Sequence, residues 1–480
     1  MGNIHFSKMG LLMESTTRPS TLQLKISERR TLLKIGDAIA ILLSVIGALA
    51  IWSEVDQTRL EFNADFLLNN SWWFPILWGL YQTLASASDF YNLRISANFW
   101  NGFRRLLLIE LQLLMVYLVI FFFSPRETLP RLFILYYSVL SFALILIWRA
   151  IWWSFFARRF GLQRRALIVG AGWAARTIIK VLREEATDEY EVVGLVAAFD
   201  PDDTLSESFP IYGVDGEPLP NIVQRLGVSE IVLAYGSQLP GTIFQGVLDC
   251  YEQGVTIIPM ALLYEQITGR VPIEHVGMDD WAVVLPLEPE SIFNPFIPIK
   301  RLLDVGLSLI GLVGFGLMLP FIALAIRLES PGGIFYTQER VGKESKFFKI
   351  IKLRSMRSDA EQAGPQWADK NDARVTRMGK MMRKTRMDEL PQFINILKGD
   401  MSLVGPRPER PFFVEQLSEE IPFYRTRHLV RPGATGWAQV RYPYGSSVED
   451  ALIKLQYDLY YIRHQSLALD LQIMIRTIGK

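Results

Sequence analysis

Two adjacent acids, Asp388 and Glu389, lie just before Pro391. Proline is favoured in the first turn of a helix, where its missing N–H costs nothing, and Gly399 is a typical C-terminal cap. The sequence therefore predicts a helix over Gln392–Leu397 with Asp388 at its N-terminus, where exposed N–H groups and the helix dipole favour an anion. For a lone aspartate, an ordinary N-cap is the simpler interpretation.

The acid pair is surrounded by arginines, which indicates more than a cap. Arg383 and Arg386 precede it, and Arg407 follows between two prolines. A carboxylate that attacks phosphorus is repelled by the phosphate oxygens, so arginine, lysine and Mg²⁺ must neutralise them. Asp388 would then form an acyl phosphate, which splits one transfer into two steps. The two interpretations are compatible, and the arginines favour the nucleophile.

Composition and charge limit the class of protein. The 480 residues suffice for roughly three domains, and the mean hydropathy of +0.20 is high for a wholly soluble protein. The single cysteine, Cys250, excludes an internal disulfide framework and fits a reducing compartment. The four histidines are scattered without zinc-site spacing, so any metal should be a hard cation such as Mg²⁺. A polar stretch precedes the first apolar run, and no cleavable signal peptide is expected.

Four apolar segments predict a transmembrane bundle over residues 31–157, after a cytoplasmic segment 1–30. The segments are Leu32–Trp52, Trp72–Ala87, Leu106–Phe123 and Leu132–Trp148. Any one of them could be a buried soluble helix, but four in succession indicate membrane insertion. The positive-inside rule places both ends of the bundle in the cytoplasm. Arg29, Arg30, Arg94, Arg104, Arg105, Arg158, Arg159, Arg164 and Arg165 flank the inner ends, whereas Glu54, Asp56, Glu61 and Asp65 follow the first segment.

Residues 160–285 are typical of a Rossmann-like α/β domain. Gly170, Gly172 and Ala175 form a G-x-G-x-x-A pattern between a predicted strand and a predicted helix, which is a candidate nucleotide-binding loop. Further strands are predicted over Tyr190–Phe199, Ile231–Tyr235 and Thr256–Pro259. No tyrosine in the domain has lysine four residues later, as a dehydratase or epimerase would need. A regulatory or structural role is therefore favoured over redox chemistry.

A proline-rich linker, 286–299, leads to the apolar segment Leu302–Ile326. Hydropathy alone predicts a fifth spanning helix there. Basic residues flank both ends, and Pro320 should break or bend the helix. A re-entrant helix that bends at Pro320 and returns to the same face satisfies both observations, and it keeps residues 327–480 in the cytoplasm.

The remaining sequence predicts strands, helices and one polar loop. They are strands Ile334–Val341 and Phe347–Arg354, loop Ser358–Asp372, and helices Arg374–Thr385 and Leu452–Ile462. Leu467–Ile478 could lie on a membrane surface or in the core, with equal support. Basic residues crowd this region, but no nucleic-acid motif appears and a membrane segment adjoins it. A lipid phosphate and a nucleotide diphosphate both fit better than nucleic acid.

Several motifs together resemble the bacterial sugar transferase domain of the polyprenyl-phosphate sugar-1-phosphate transferases. The matching runs are Lys300–Asp304, Gln338–Gly342, Lys352–Met356, Asp388–Gln392, Leu397–Pro408 and Arg431–Gly433. The whole chain is similar to the larger, multi-domain members. The resemblance implies a membrane protein of α plus α/β class: a four-helix transmembrane bundle, a Rossmann-like α/β domain and a catalytic α+β domain, 300–480, with a re-entrant membrane helix.

The resemblance also implies an activity and its site. Members transfer a sugar-1-phosphate from a nucleoside diphosphate sugar, usually a UDP-sugar, onto undecaprenyl phosphate at the bacterial inner membrane, which starts surface polysaccharide assembly. Asp388 would be the nucleophile, Glu389 its partner, and Mg²⁺ would bind at both. The residues expected to face phosphates or the nucleotide are Lys352, Arg354, Arg383, Arg386 and Arg407. A homodimer is expected.

One position departs from the family pattern, and two other functions stay open. Leu319 precedes Pro320, where the family usually has serine, so a hydroxyl that can cap the broken backbone is missing. The first alternative is a membrane-anchored NAD-dependent nucleotide-sugar dehydratase or epimerase built on the α/β domain. The second is a non-catalytic membrane scaffold, which the intact acid pair disfavours.

Overall fold

The structure is a computed structural model of the chain. It describes residues 26–55, 62–88, 90–91, 99–123, 132–152, 154, 163–170, 172–187, 189–197, 209–213, 217–235, 241–273, 296–357, 374–443, 445 and 447–478. Residues 1–25 of the predicted N-terminal segment, the loop Ser358–Asp372 and most of the predicted linker lie outside these ranges, whereas residues 26–30 already belong to the first helix.

The N-terminal part is a set of helices around one apolar core. Helices α1 to α5 cover Ile26–Val55, Ala64–Asn69, Trp73–Ala87, Phe99–Phe123 and Phe133–Ile151. Leu33, Ile41, Tyr81, Ile109 and Tyr137 are among the side chains that fill the core. Many apolar side chains on the outside of these helices are exposed, including those of Leu43, Leu108 and Val139. A helix set that is apolar inside and outside is typical of a membrane-embedded bundle.

Three helices in the described ranges are long and apolar enough to cross a membrane: Arg30–Val55, Phe133–Ile151 and Phe296–Glu329. The first two correspond to the first and fourth predicted spans. Helix α3 occupies the second, but its 15 residues extend only about 22 Å, less than a hydrocarbon core of about 30 Å. Helix α4 occupies the third, and the side chains at its C-terminal end are not described. The protein is thus a membrane protein, and the four-span arrangement stays a prediction.

The charged residues inside the apolar segments are paired within the bundle. Asp37 of α1 accepts a hydrogen bond from Arg149 of α5 at 2.6 Å. Glu110 of α4 accepts one from the Ser141 hydroxyl at 2.8 Å. Because an isolated charge is costly in hydrocarbon, these contacts explain how the segments tolerate polar residues.

The second domain is a doubly wound parallel sheet, as predicted. Strands β1 to β5 cover Arg164–Val169, Tyr190–Ala197, Ile211–Gly213, Glu230–Leu233 and Thr256–Pro259, in the order β3-β2-β1-β4-β5. Helices α6 to α9 cover Trp173–Glu185, Leu219–Leu226, Gly241–Glu252 and Met260–Thr268. An apolar cluster lies on each face of the sheet. Buried strands with such cover on both faces are typical of parallel sheets.

The C-terminal domain begins with the 34-residue helix α10, Phe296–Glu329. The predicted linker therefore ends earlier than position 299, and Pro298 lies in the first turn of the helix, where proline is tolerated. The helix continues through Pro320 without interruption, and a bend at that position stays a prediction. Leu319 and Ile322, on either side of the proline, pack on the domain with Leu353 and Met382. This packing supports the helix where the proline removes one backbone hydrogen bond.

The rest of the domain is α+β. Strands β6 and β7, Phe335–Val341 and Phe347–Leu353, form an antiparallel pair, and β8 and β9, Ser402–Val404 and Gly433–Thr435, form a parallel one. Helices α11 to α16 cover Arg377–Thr385, Gln392–Lys398, Pro411–Glu420, Trp437–Arg441, Val448–Arg463 and Leu467–Ile478. The sequence left open whether Leu467–Ile478 lies on a membrane surface or in the core. Ile473 of α16 is fully buried in the core of the C-terminal domain, which favours the core.

The α/β domain contacts the C-terminal domain directly. Glu265 of α9, nearly fully buried, accepts hydrogen bonds from Arg463 and lies 3.0 Å from His464. The Trp437 indole donates to the carbonyl of Gly269 at 3.1 Å. Val271, beyond α9, is buried in the C-terminal core. The segment after α9 therefore belongs structurally to the C-terminal domain.

Glycines set the spacing of β8 and β9, and this gives a first prediction. A Cβ on Gly433 would lie 2.1 Å from the backbone nitrogen of Gly405 and 2.3 Å from the carbonyl oxygen of Thr435. We expect Gly433→Ala to destabilise the domain by about 1–3 kcal/mol through overpacking, measured as a lower unfolding temperature in detergent.

The matched control is Gly314→Ala in α10, where an added Cβ would meet nothing within 4 Å. Since alanine is the better helix former, this variant should be neutral or slightly stabilised. Equal unfolding temperatures for the two variants would contradict the close approach of β8 and β9.

Candidate active site

The acid pair lies in a short turn between two helices. Helix α11 ends at Thr385, Arg386 takes the left-handed conformation at φ 55°, and Met387–Glu389 form one 3₁₀ turn. Pro391 is the N-cap of α12. The prediction that Asp388 lies at the N-terminus of this helix is therefore wrong. The left-handed residue reverses the chain after α11, and the separate turn places both acids ahead of the helix.

Glu389 lies between two cations from distant parts of the chain. Its Oε1 atom accepts hydrogen bonds from Lys352 Nζ at 2.9 Å and from Arg407 Nη2 at 3.1 Å. Burial raises the pKa of Glu389, but the charges of Arg407 and Lys352 outweigh it, so the pKa lies well below its usual range. Burial lowers the pKa of Lys352, and Glu389 opposes that shift. The Glu389 carboxylate is thus ionised and held in place.

Asp388 is the more protonatable acid of the pair. Its side chain is 8% exposed. Burial raises its pKa, and the negative charge of Glu389 raises it further, whereas Lys352, Arg383 and Arg407 act in the opposite direction. Two adjacent carboxyl groups thus differ in environment, which is the arrangement by which enzymes give paired acids different roles.

The three other residues predicted to contact phosphate, Arg383, Arg386 and Arg354, have different surroundings. Arg383, on α11, donates from Nε to the Ser355 hydroxyl at 3.0 Å and acts electrostatically on Asp388. Arg386 is exposed. Arg354 donates to the carbonyl oxygens of Pro331 and Ser330 at 2.8 and 2.7 Å, just after α10 ends. Lys352, Arg383 and Arg407 are therefore brought together around the acids, and a phosphate contact by Arg354 or Arg386 stays a prediction.

Asn395 connects the acid-bearing segment to the strand that carries Lys352. From α12, its amide nitrogen donates to the Lys349 carbonyl at 2.8 Å, and its amide oxygen accepts from the Ile351 N–H at 3.0 Å. Strand β7 pairs with β6 on one edge, so this side chain takes the place of a neighbouring strand on the other. Sequence reasoning missed Asn395, and only its position in the helix between two motifs could have indicated it.

Helix α10 is fixed to the same elements. Arg301 donates to the carbonyl oxygens of Ile396 and Leu397 at the end of α12. Asp304 accepts from the Ser402 hydroxyl and the Leu403 N–H. At the other end of α10, the Glu329 carboxylate accepts from the N–H groups of Arg377 and Met378, which caps α11. The first motif that carries the family resemblance thus attaches the membrane helix.

The backbone that presents Arg407 is held by two buried arginines. Arg427 donates to the Arg407 carbonyl at 3.0 Å and pairs with Asp458 at 2.8 Å. Arg340 donates to the Pro408 carbonyl at 3.2 Å. Gln392, four residues after Asp388, is 3% exposed, and its amide nitrogen has no partner among the described residues. Arg340 and Gln392 lie in the recognised motifs and Arg427 lies outside them, and the residue types alone did not indicate these roles.

The acid pair could contribute to a Mg²⁺ site without forming one by itself. No cluster of three or more His, Cys, Asp or Glu side chains with metal-binding geometry occurs in the described ranges. Mg²⁺ usually takes one or two carboxylates and completes its shell with substrate phosphates and water. The Asp388 carboxyl group and the Oε2 atom of Glu389 are suited to serve as these carboxylate ligands of Mg²⁺.

The glycine loop of the α/β domain has the conformation that its pattern requires. Gly170 has φ 135° and Gly172, the N-cap of α6, has φ 79°. A Cβ on Gly170 would lie 2.3 Å from the Ala234 carbonyl oxygen, whereas one on Gly172 would meet nothing within 4 Å. Ala175 is fully buried against the sheet. Both glycines thus take positive φ values, which other residues rarely adopt, and binding of a nucleotide there stays a prediction.

A buried acid, an ionised neighbour and three cations next to an apolar helix define a membrane protein with a centre suited to phosphorylated substrates. Comparison with known proteins agrees with that class. Residues 296–480 match the family model described as bacterial sugar transferase, and residues 86–261 match one described as CoA-binding domain. The chain belongs to the bacterial sugar transferase family.

The relatives include proteins of several organisms. The chain is 30% identical to the UDP-glucose:undecaprenyl-phosphate glucose-1-phosphate transferase of Klebsiella pneumoniae, over 84% of this chain and 86% of that protein. It is 45% identical to the UDP-N-acetylgalactosamine-undecaprenyl-phosphate N-acetylgalactosaminephosphotransferase of Aeromonas hydrophila, over 48% of this chain. The alignment spans about half of the Aeromonas protein, 53%.

The Asn395 contacts generate a second prediction. Asn395→Ala should leave the Ile351 N–H and the Lys349 carbonyl without their partner, which should destabilise the domain by about 2–4 kcal/mol. Thermal unfolding in detergent measures the change. Lys398→Ala, exposed on the same helix, should change stability by less than about 0.5 kcal/mol, and a loss as large as that of Asn395→Ala would refute the connection.

Proposed function

We propose that the chain transfers a sugar-1-phosphate from a UDP-hexose to undecaprenyl phosphate, as the first membrane step of surface polysaccharide assembly. The observation that carries the proposal is Asp388, buried beside an ionised Glu389 that Lys352 and Arg407 hold. The activities for which the Klebsiella and Aeromonas relatives are named support it. Those relatives act on different sugars, so the hexose is left unspecified.

The reaction proceeds in two displacements. The Asp388 carboxylate attacks the phosphorus that bears the sugar, the bond from that phosphorus to the UMP oxygen breaks, and UMP leaves. A phosphate oxygen of undecaprenyl phosphate then attacks the same phosphorus, and the aspartyl oxygen leaves. Every phosphorus keeps four oxygens, and the products are UMP and undecaprenyl-diphosphate-linked sugar. Covalent catalysis of this kind replaces one difficult step with two easier ones.

The surrounding charges make the attack feasible. Lys352, Arg383 and Arg407 neutralise the phosphate oxygens that would repel the Asp388 carboxylate. Glu389 holds Lys352 and Arg407 in position before substrate arrives. Mg²⁺ at Asp388 and Glu389 would supply further positive charge to the donor diphosphate.

The geometry of α10 supports placing the catalytic domain on one face of the membrane. Arg301 and Asp304 near its start and Glu329 at its end all contact the same domain, so both ends lie on that domain's side. The opposite face exposes apolar side chains, with Phe321 at 77%. A helix embedded from one side satisfies these contacts, whereas a full span would separate its ends. The positive-inside rule applied to the basic loop residues supports a cytoplasmic position for that side, at the bacterial inner membrane.

The alternative of an NAD-dependent dehydratase or epimerase gains no support from the site. The glycine loop has the required conformation, but the domain lacks the Tyr-x-x-x-Lys pair. A homodimer stays a prediction from the family resemblance.

The nucleophile assignment gives a third prediction. Asp388→Asn should lower UMP release from a panel of UDP-sugars, with undecaprenyl phosphate present, by at least about a thousandfold. It should also abolish covalent labelling by a donor that carries radioactive phosphorus next to the sugar. Glu415→Gln, exposed on α13, should leave both unchanged. Retention of the covalent label in Asp388→Asn would exclude Asp388 as the nucleophile.

The pKa shifts give a fourth prediction. Asp388 must be ionised to attack, so activity should fall as the pH drops through its pKa. Glu389→Gln removes a negative charge that raises this pKa, so the acidic limb of the kcat/KM profile should move to lower pH. Lys352→Met removes a positive charge that lowers it, so the limb should move to higher pH. Shifts in the same direction would contradict the electrostatic roles.

A further inference from the structure

One face of α11 forms a basic surface outside the site. Arg377, Lys380, Met381 and Lys384 are all exposed, and their spacing of three, four and seven residues places them on one side of the helix. The helix contains no acidic residue. Met381 adds an apolar side chain, 49% exposed, among the charges. We refer to these four residues as the basic face of α11.

Arg377 lies close to Glu329 and interacts with its negative charge, whereas the two lysines of this face have no acidic partner among the described residues. In the described part of the chain, the ammonium groups of Lys380 and Lys384 form no ion pair and no hydrogen bond. The exposed lysines in the turn between β6 and β7 differ in this respect, because Lys343 and Lys346 both form ion pairs with Glu344. Exposed lysines without acids nearby attract an external anion.

The position of α11 identifies which anions it meets. Its opposite face packs against α10, where Met382 and Met378 join the cluster of Ile322 and Ile326. Glu329 at the end of α10 caps α11. Helix α10 exposes Phe321, Leu324 and Leu328 on its other side. A basic helix packed on a lipid-embedded helix lies near the depth of the headgroups.

We propose that the basic face of α11 binds anionic phospholipid headgroups of the bilayer in which α10 is embedded. The inference rests on the proposed membrane placement of α10 and not on the identity of the sugar or the nucleophile. Helix α11 carries Arg383 and leads directly into the turn with Asp388. Headgroups bound on one side of this helix would therefore stabilise the element that presents the acid on the other.

The single native cysteine, Cys250, makes a direct test feasible. It is buried, and burial raises the pKa of its thiol to about 11, so an introduced cysteine should be labelled selectively. The full chain with Met381→Cys, carrying a fluorophore, is reconstituted in nanodiscs of phosphatidylcholine with increasing phosphatidylglycerol. A trace lipid with a nitroxide on its headgroup quenches the fluorophore.

Quenching of the Met381→Cys label should rise with the phosphatidylglycerol fraction and fall with added salt. Lys380→Gln and Lys384→Gln together should weaken headgroup binding by tens of fold, at about fivefold for each charge near the surface, so quenching should hardly rise even in pure phosphatidylglycerol. Lys380→Arg with Lys384→Arg should restore the wild-type response. Because both lysines are exposed, these variants should fold normally.

The control label is Phe347→Cys, exposed beside the β6–β7 turn. Because Lys343 and Lys346 in this turn pair with Glu344, any quenching at this position should be independent of lipid charge. Equal quenching at both positions, or a Met381→Cys response that ignores phosphatidylglycerol, would overturn the proposal. The measurement needs no substrate, so it succeeds or fails independently of the Asp388 assignment.

Discussion

The hydrogen bonds of Glu389 to Lys352 and Arg407 are the contacts on which the C-terminal domain depends. A buried carboxylate is stable only if its charge is compensated, and removing one partner of a buried pair is strongly destabilising. The two cations come from β7 and from the loop after β8, whereas the acid lies in a turn between α11 and α12. Three separate segments must therefore be held in register before this centre exists.

Much of the domain serves that requirement. Asn395 fixes α12 to β7, and Arg427 fixes the backbone of Arg407. Gly405 and Gly433 allow β8 and β9 to approach each other closely. This close approach positions the loop after β8, which carries Arg407. Helix α10 joins the same set, since Arg301 binds the end of α12. Membrane attachment and assembly of the acid centre thus use shared contacts.

The sequence predicted the elements well and their contacts less well. Periodicity located β1, β2, β4, β5, β6 and β7 within about two residues, because alternating or continuous apolar runs are local signals. The three-residue strands β3, β8 and β9 were not predicted, since so short a run carries no periodicity. The acid pair and Lys352, Arg383 and Arg407 were found because charge type and motif spacing are also local. The 3₁₀ turn at Met387–Glu389 was missed, since it depends on a left-handed Arg386. The roles of Asn395 and Arg354 depend on backbone groups far away in the chain, which no local pattern reveals. Pro320 was expected to break or bend α10, and the helix is continuous there with side chains packed on both sides of the proline.

The attachment of α10 at both ends has a consequence for the proposed lipid substrate. The contacts at Asp304 and at Glu329 lie 25 positions apart on one continuous helix, so the domain is tied to α10 at two points and not at one. If α10 is embedded as proposed, this double attachment holds the acid turn at a constant distance from the lipid surface. A long, flexible polyprenyl chain would suit such a site, because its phosphate could reach that level while its tail stays among the acyl chains.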